Sequence, residues 1–209
     1  APISNFKAGT IAQGTLQTSS SFKHPSNEPI ANLYFGSNME FNNQALSLVV
    51  HAEQAAINNA WQHGETAITG LTINAAPCGY CRQFINEIRD ARLMPMQIAG
   101  KPCNLEQLLP EPFSPTTLGK SEMMFDKHHT AVRFADEVKV SKQLHTAVET
   151  SYAPYSENLS AVEIMTTDGQ QFIGRYAENC AYSPSLSPLQ SALSQMAMHG
   201  LNPNKHLLI

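Results

Sequence analysis

Apolar and polar positions along this chain change period several times, and each change marks an element. Residues 6–14 form a short, mostly apolar, glycine-bounded run that reads as a strand. Residues 15–30 are rich in Ser, Thr, Pro and Asn and predict a surface loop or hairpin insertion, with a return strand over 33–36. From about residue 50 to 61 the period becomes helical, and Gly64 is placed to end that helix. A β-rich run covers 71–75, Pro77 stands ahead of a second helix running from 78 towards 89, and 96–99 read as another short strand. Four prolines, Pro102, Pro110, Pro112 and Pro115, mark 101–115 as a connecting segment with one short helix. A further helix is predicted over about 137–150. Strands alternating with helices predict an α/β protein, a layered sheet with helices on its faces.

A weak internal repeat extends that picture. Ala1-Pro2-Ile3-Ser4 is echoed by Ala153-Pro154-Tyr155-Ser156, and Asn38-Met39-Glu40-Phe41 loosely by Tyr176-Ala177-Glu178-Asn179. The first copy is longer, and the polar stretch over 15–30 is the natural place for its extra residues. Equal counting from Glu40 and Glu178 sets His51-Ala52-Glu53 opposite Leu189-Gln190-Ser191, and a one-residue shift sets Pro188 opposite His51. Neither register gives the second copy a metal ligand or an acid. A chance match of short strings is the plain alternative. The expected organisation is a catalytic domain over 1–130 and a degenerate copy over 131–209, its sheet unfinished at Ile209.

Composition narrows the function classes. The 209 residues are 42% hydrophobic and 14% charged, with a formal net charge of −4. That charge argues against sequence-independent nucleic-acid binding, which needs a basic surface to neutralise phosphates. The apolar runs are broken too often by Asn, Gln or Glu to span a membrane. No charged-then-apolar leader opens the chain, and it starts at Ala1, as a trimmed or fragmentary chain would. Four cysteines, two of them isolated (Cys103 and Cys180), do not make a secreted disulfide framework, so a reducing cytoplasmic setting is expected.

The chemistry lies in His51-Ala52-Glu53 followed by Pro77-Cys78-Gly79-Tyr80-Cys81. Cys78 and Cys81, at i and i+3 of one helix, share a face and can reach one metal, and His51 supplies a third donor. Three protein ligands describe a catalytic zinc site with an open position, whereas four describe a structural one. Both helix starts carry partial positive charge, which is expected to lower the thiol pKa values. Glu53 points away from the ligand direction of His51 and is expected to act as the proton shuttle. Arg82 either offsets thiolate charge or faces solvent. A redox Cys-x-x-Cys leaves His51 and Glu53 unexplained.

The chain resembles the cytidine deaminases of the larger dimeric type, a catalytic domain followed by a broken copy of itself. The resemblance rests on Ser4-Asn5-Phe6 with Gly9, on Tyr34 through Phe41, on His51-Ala52-Glu53-Gln54, on Ala76 through Phe84, on Ser151 through Ser156, and on the second-copy stretches from Tyr176 and to Gln190. It implies a three-layer α/β/α sheet with helices on both faces, followed by the degenerate copy. It further implies zinc-dependent hydrolysis of cytidine and deoxycytidine to their uridine counterparts and ammonia, with zinc on His51, Cys78 and Cys81. Asn38 and Glu40 match the pair that binds the ribose 3′-hydroxyl, and Phe6 the aromatic that packs on the pyrimidine. The backbones of Ala52 and Ala76 match the contacts to the base edge. Phe113 matches a residue that completes the neighbouring subunit's pocket, which implies a homodimer. For Phe6 and Phe113 the alternative is core packing, and for Asn38 and Glu40 a turn or capping role. A nucleic-acid deaminase should carry a basic tract, a nucleotide deaminase a cation beside Asn38, and a zinc scaffold no Glu53. Departures from the family are the long 15–30 loop and the missing helical segment ahead of Ala1.

Overall fold

The computed structural model describes residues 1–16, 31–42, 44–135 and 137–202. Its larger sheet runs in the order β2 (Ala31–Ser37), β1 (Gly9–Leu16), β3 (Gly70–Ile73), β4 (Met96–Ile98), β5 (Lys101–Cys103). β1 is antiparallel to β2 and β3, β3 and β4 are parallel, and β4 and β5 are antiparallel. A parallel pair needs a crossover, and α2 (Gly79–Ile85) lies in it. The chain is α/β, as the alternating pattern predicts. The sequence reading missed β5 because Pro102 breaks the strand signal. The proline is tolerated because β5 is an edge strand, with only β4 as neighbour. Most of the 15–30 insertion lies outside the described residues; Thr15 continues β1.

α1 (Ala52–Gln62) follows β2 and packs across β1 and β2. Its residues Ala56, Ile57, Ala60 and Trp61 are buried with Leu71, Ile73, Phe84, Ile85 and Met96. Gly64, at φ 79°, ends the helix in the left-handed conformation, as expected. α2 stops at Ile85 and does not reach Arg89. From Glu87 the amides bond three residues back, Glu87 N–H to the Phe84 carbonyl at 3.1 Å and Ile88 N–H to the Ile85 carbonyl at 3.0 Å, so the last turns tighten. α3 (Leu105–Leu108) is the short helix of the connecting segment.

A second sheet pairs β6 (Ala161–Met165) antiparallel with β7 (Gln171–Arg175), and α4 (Lys142–Glu149) and α5 (Pro188–Met198) pack on it. α4 begins later than 137 because Ser141 caps it, accepting from the Leu144 N–H at 3.0 Å.

The repeat is structural. Glu40 accepts from the Ile3 and Ser4 amides at 2.8 and 3.0 Å, and Glu178 accepts from those of Tyr155 and Ser156 at 2.8 and 3.2 Å. Each glutamate also takes the hydroxyl of its serine, Ser4 or Ser156. Gly36 lies so close to α1 that an added Cβ would sit 2.1 Å from Ala56 N, and one on Gly174 would sit 2.1 Å from Ala192 N. Met39 pairs with Val50 and Ala177 with Leu186. These equivalences set Ser187 opposite His51 and Gln190 opposite Gln54. Both counted registers are therefore corrected, because the segment joining Glu178 to its helix is two residues shorter than the one after Glu40. The second copy still has no ligand at that place.

At the β1–β2 end, Glu65 is buried and accepts from Thr15 Oγ1 at 2.6 Å, the Thr66 amide at 3.0 Å and Asn32 Nδ2 at 3.1 Å. Burial acts to raise its pKa, but these hydrogen bonds outweigh it and hold the carboxyl at about 2, against an ordinary 4.5. A lowered pKa contributes stability above the ordinary value and loses it as pH falls towards the folded one. Glu65→Gln is therefore expected to be less stable than wild type near neutrality, with the gap closing between about pH 4.5 and 2. Urea midpoints across that range check it, and a gap independent of pH would contradict it.

Candidate functional site

Two helix starts meet beside the carboxyl end of β3, the region where open α/β sheets place their ligand sites. His51 precedes α1 and Cys78 precedes α2, both in extended backbone conformation, φ −79° and −69°. The extended cap turns each side chain across its own helix end, and α2 places Cys81 one turn further on. His51 Nδ1 lies 3.5 Å from Cys78 Sγ, and Cys78 Sγ 3.6 Å from Cys81 Sγ. All three donor atoms fall within 4.8 Å of one another, the only such cluster among the described residues. Cys78 is exposed, Cys81 buried and His51 between the two.

Glu53 is 5% exposed and hydrogen-bonded to the Cys81 thiol. Burial pushes the Cys81 thiol well above its ordinary pKa, and the charges of Glu53 and Cys78 add to the rise. The expected lowering by the helix start is thus overridden at Cys81. Zinc held by these donors would offset the charge that Cys81 takes on as a thiolate beside Glu53, and two sulfurs with one imidazole suit zinc.

Neighbouring groups hold these donors in place. The Tyr80 ring stacks on His51, centroids 5.1 Å apart at 20°. Gln54 accepts from the His51 amide at 3.2 Å and is hydrogen-bonded to the Tyr80 hydroxyl. Arg82 is half-buried and does not simply face solvent. It donates to the carbonyls of Pro77 and Leu108, both at 2.9 Å, and ties the loop before Cys78 to the end of α3. Sequence reasoning missed Gln54 and Tyr80, although Gln54 stands inside the motif and recurs as Gln190.

Of the remaining site candidates, three come together. Phe6, Asn38 and Glu40 are brought together through the opening segment. Asn38 Nδ2 donates to the Phe6 carbonyl at 2.9 Å, and its Oδ1 accepts from the Ala8 amide at 3.0 Å. Asn38 and Glu40 thus hold the opening segment through these hydrogen bonds, while Phe6 is 57% exposed and outside the core. Ala52 is buried at the first position of α1, and Ala76 is exposed just ahead of Pro77. Phe113 is 42% exposed, its carbonyl accepting from Gln83 and Asn86 at 2.5 and 3.1 Å.

Two models of the cytidine and deoxycytidylate deaminase zinc-binding region match the chain, one over residues 28–97 and one over 105–206. The first contains His51, Glu53, Cys78 and Cys81; the second falls on the copy that carries no such donor cluster among the described residues. A cytidine deaminase of Pectobacterium carotovorum subsp. carotovorum is 39% identical over 212 residues, covering 100% of this chain and 67% of the relative. The chain belongs to the cytidine and deoxycytidylate deaminase family. Another cytidine deaminase of this family, from Photobacterium profundum, is 43% identical over 204 residues, covering 96% of this chain and 63% of the relative. The chain thus spans about two thirds of the length of these relatives. A solved cytidine deaminase from Mycobacterium tuberculosis is 23% identical, with a TM-score of 0.42, covering 54% of this chain and 83% of that one. Family membership makes zinc the metal that fits the His51, Cys78 and Cys81 donors, and it accounts for the two-copy organisation. No helix among the described residues is long and apolar enough to cross a membrane.

Proposed function

We propose that this chain hydrolytically deaminates free cytidine and deoxycytidine to uridine and deoxyuridine, releasing ammonia, as a step of cytoplasmic pyrimidine salvage. One observation carries the reading: the His51, Cys78 and Cys81 donor atoms converge within 4.8 Å, with the carboxylate of Glu53 against the same cluster. Zinc held there supplies the Lewis acidity that makes water a nucleophile near neutral pH. Glu53 takes a proton from that water and hands it to ring N3 as the new C–O bond forms at C4. It then takes the proton of the new C4 hydroxyl and carries it to the amino group, the C4–N bond breaks as the C4 carbonyl forms, and ammonia leaves with the carboxylate restored. Overall one water is consumed for each ammonia released.

Phe6 would lie on the pyrimidine face, Asn38 and Glu40 would read the sugar 3′-hydroxyl, and the Ala52 and Ala76 backbones would meet the base edge. Phe113 would complete the pocket of a second subunit, so the working form is a homodimer. A nucleotide substrate is the second reading, because the matching family model also describes deoxycytidylate deaminases. The net charge of −4 disfavours nucleic acid.

Ammonia release from cytidine, deoxycytidine, CMP and single-stranded DNA separates these readings. Turnover of the two nucleosides, abolished by a zinc chelator and restored by zinc, is the expected result. Preference for CMP would move the assignment to a nucleotide, and chelator-resistant turnover would overturn the mechanism.

A further inference from the structure

Among the described residues the second copy has no donor cluster of its own, yet it grips the segment that carries His51. Gln54 and Gln190 hold equivalent places at the starts of α1 and α5, and both are buried. Each carboxamide oxygen caps its own helix: Gln54 accepts from the His51 amide at 3.2 Å, and Gln190 from the Ser187 amide at 3.1 Å. Each amide nitrogen then crosses to the other copy. Gln54 Nε2 donates to the Pro184 carbonyl at 3.0 Å. Gln190 Nε2 donates to the Ser47 and Val49 carbonyls at 3.1 and 3.2 Å. The exchange is reciprocal, each glutamine binding the chain that leads into the other's helix. Only a carboxamide offers an acceptor and two donors on one planar group.

The consequence for the metal centre comes through one residue. Val50, between Val49 and His51, is fixed by two backbone hydrogen bonds to Met39, at 2.8 and 3.1 Å. Holding the Val49 carbonyl therefore fixes the direction in which the chain enters His51. The cysteine helix is held from the same copy: Asn179 Nδ2 donates to the Gln83 carbonyl at 2.9 Å, and the Cys180 amide to Glu87 at 2.6 Å.

We infer that Gln190 is a positioning residue for His51, so that the copy without a metal sets the geometry of the metal centre in the other. This rests on His51, Cys78 and Cys81 being the zinc ligands. Outer partners of metal ligands typically change metal affinity by about 10- to 100-fold when removed.

The test compares the zinc-loaded full chain with Gln190→Met, Gln190→Glu and Gln62→Met. Gln190→Glu keeps the acceptor that caps Ser187 but cannot donate to Ser47 and Val49, and it carries the test if Gln190→Met fails to fold. Gln62→Met removes another cross-copy bond, Gln62 Nε2 to Ser191 Oγ at 2.8 Å, at the far end of α1. The readouts are the rate of zinc transfer to a chromogenic chelator and the visible spectrum of the cobalt-substituted protein, taken where circular dichroism shows the variants folded. Both Gln190 variants are expected to release zinc about tenfold faster or more, with a shifted cobalt band. Gln62→Met is expected to change neither. Wild-type release and spectra in the Gln190 variants overturn the inference, as does an equal effect of Gln62→Met, which would trace it to general loosening between the copies. Undiminished zinc uptake after replacing His51, Cys78 and Cys81 together would instead show the ligand assignment to be wrong.

Discussion

Glu53→Gln is expected to lose nearly all turnover of cytidine while keeping one zinc per chain. The carboxamide has almost the shape of the carboxylate but cannot take a proton from water and pass it on. General acid–base catalysis contributes about 10²- to 10⁴-fold, and here one group handles the proton from water, the proton to N3 and the proton to the leaving amine. The loss in kcat should therefore reach at least the upper end of that range. Glu53 is not one of the three clustered donors, so metal analysis of the variant should match wild type. Measuring kcat and zinc content on one preparation checks both halves. Retention of substantial activity, or loss of zinc along with it, would refute the shuttle assignment.

Cys81→Ser is expected to have the second largest effect, and a different one. Cys81 is wholly buried between Glu53 and Cys78, so a hydroxyl there neither matches the sulfur donor nor relieves the neighbouring negative charge. Zinc content should fall towards zero, activity should fall with it, and added zinc should restore little of either. Stability should also drop, because zinc that binds only the folded chain stabilises it by about 4 kcal/mol at a free concentration one thousand times Kd. Chelator-treated wild type should lose about the same amount, whereas chelator should leave the melting temperature of Cys81→Ser unchanged. A variant that keeps a full complement of zinc would remove Cys81 from the ligand set.

These expectations differ in how visible their basis is along the chain. The candidate donor triad and Glu53 are legible because ligand chemistry restricts residue type and a helix fixes the i, i+3 spacing of the two cysteines. The α1 helix and its stop at Gly64 are legible because one apolar period and one left-handed glycine suffice. β5 is not, because Pro102 erases the local strand signal and only the neighbouring β4 makes an edge strand there. The pKa of Cys81 is not legible either. A helix start argues for a lowered value, but burial beside Glu53 decides against it, and burial is not a local property.

The repeat shows the same division. Matching short strings disclosed a second copy, and neither counted register gave it a counterpart of His51 or Glu53. Equal counting nevertheless chose the wrong register, because loop lengths between equivalent elements are free to differ. The paired contacts of Gly36 with Ala56 and Gly174 with Ala192 fixed the alignment, since a backbone approach that close occurs at one place along each helix. By itself the sequence offered one candidate donor set, one carboxylate for the proposed proton transfer, an α/β frame and a second copy with no counterpart of His51 in the registers counted. Only the tertiary structure decided what surrounds that chemistry, the Tyr80 ring on His51, Arg82 tying two loops, and Gln190 holding the chain into His51 across 141 positions from Val49. Such contacts join residues far apart in sequence, and no local period or spacing encodes them.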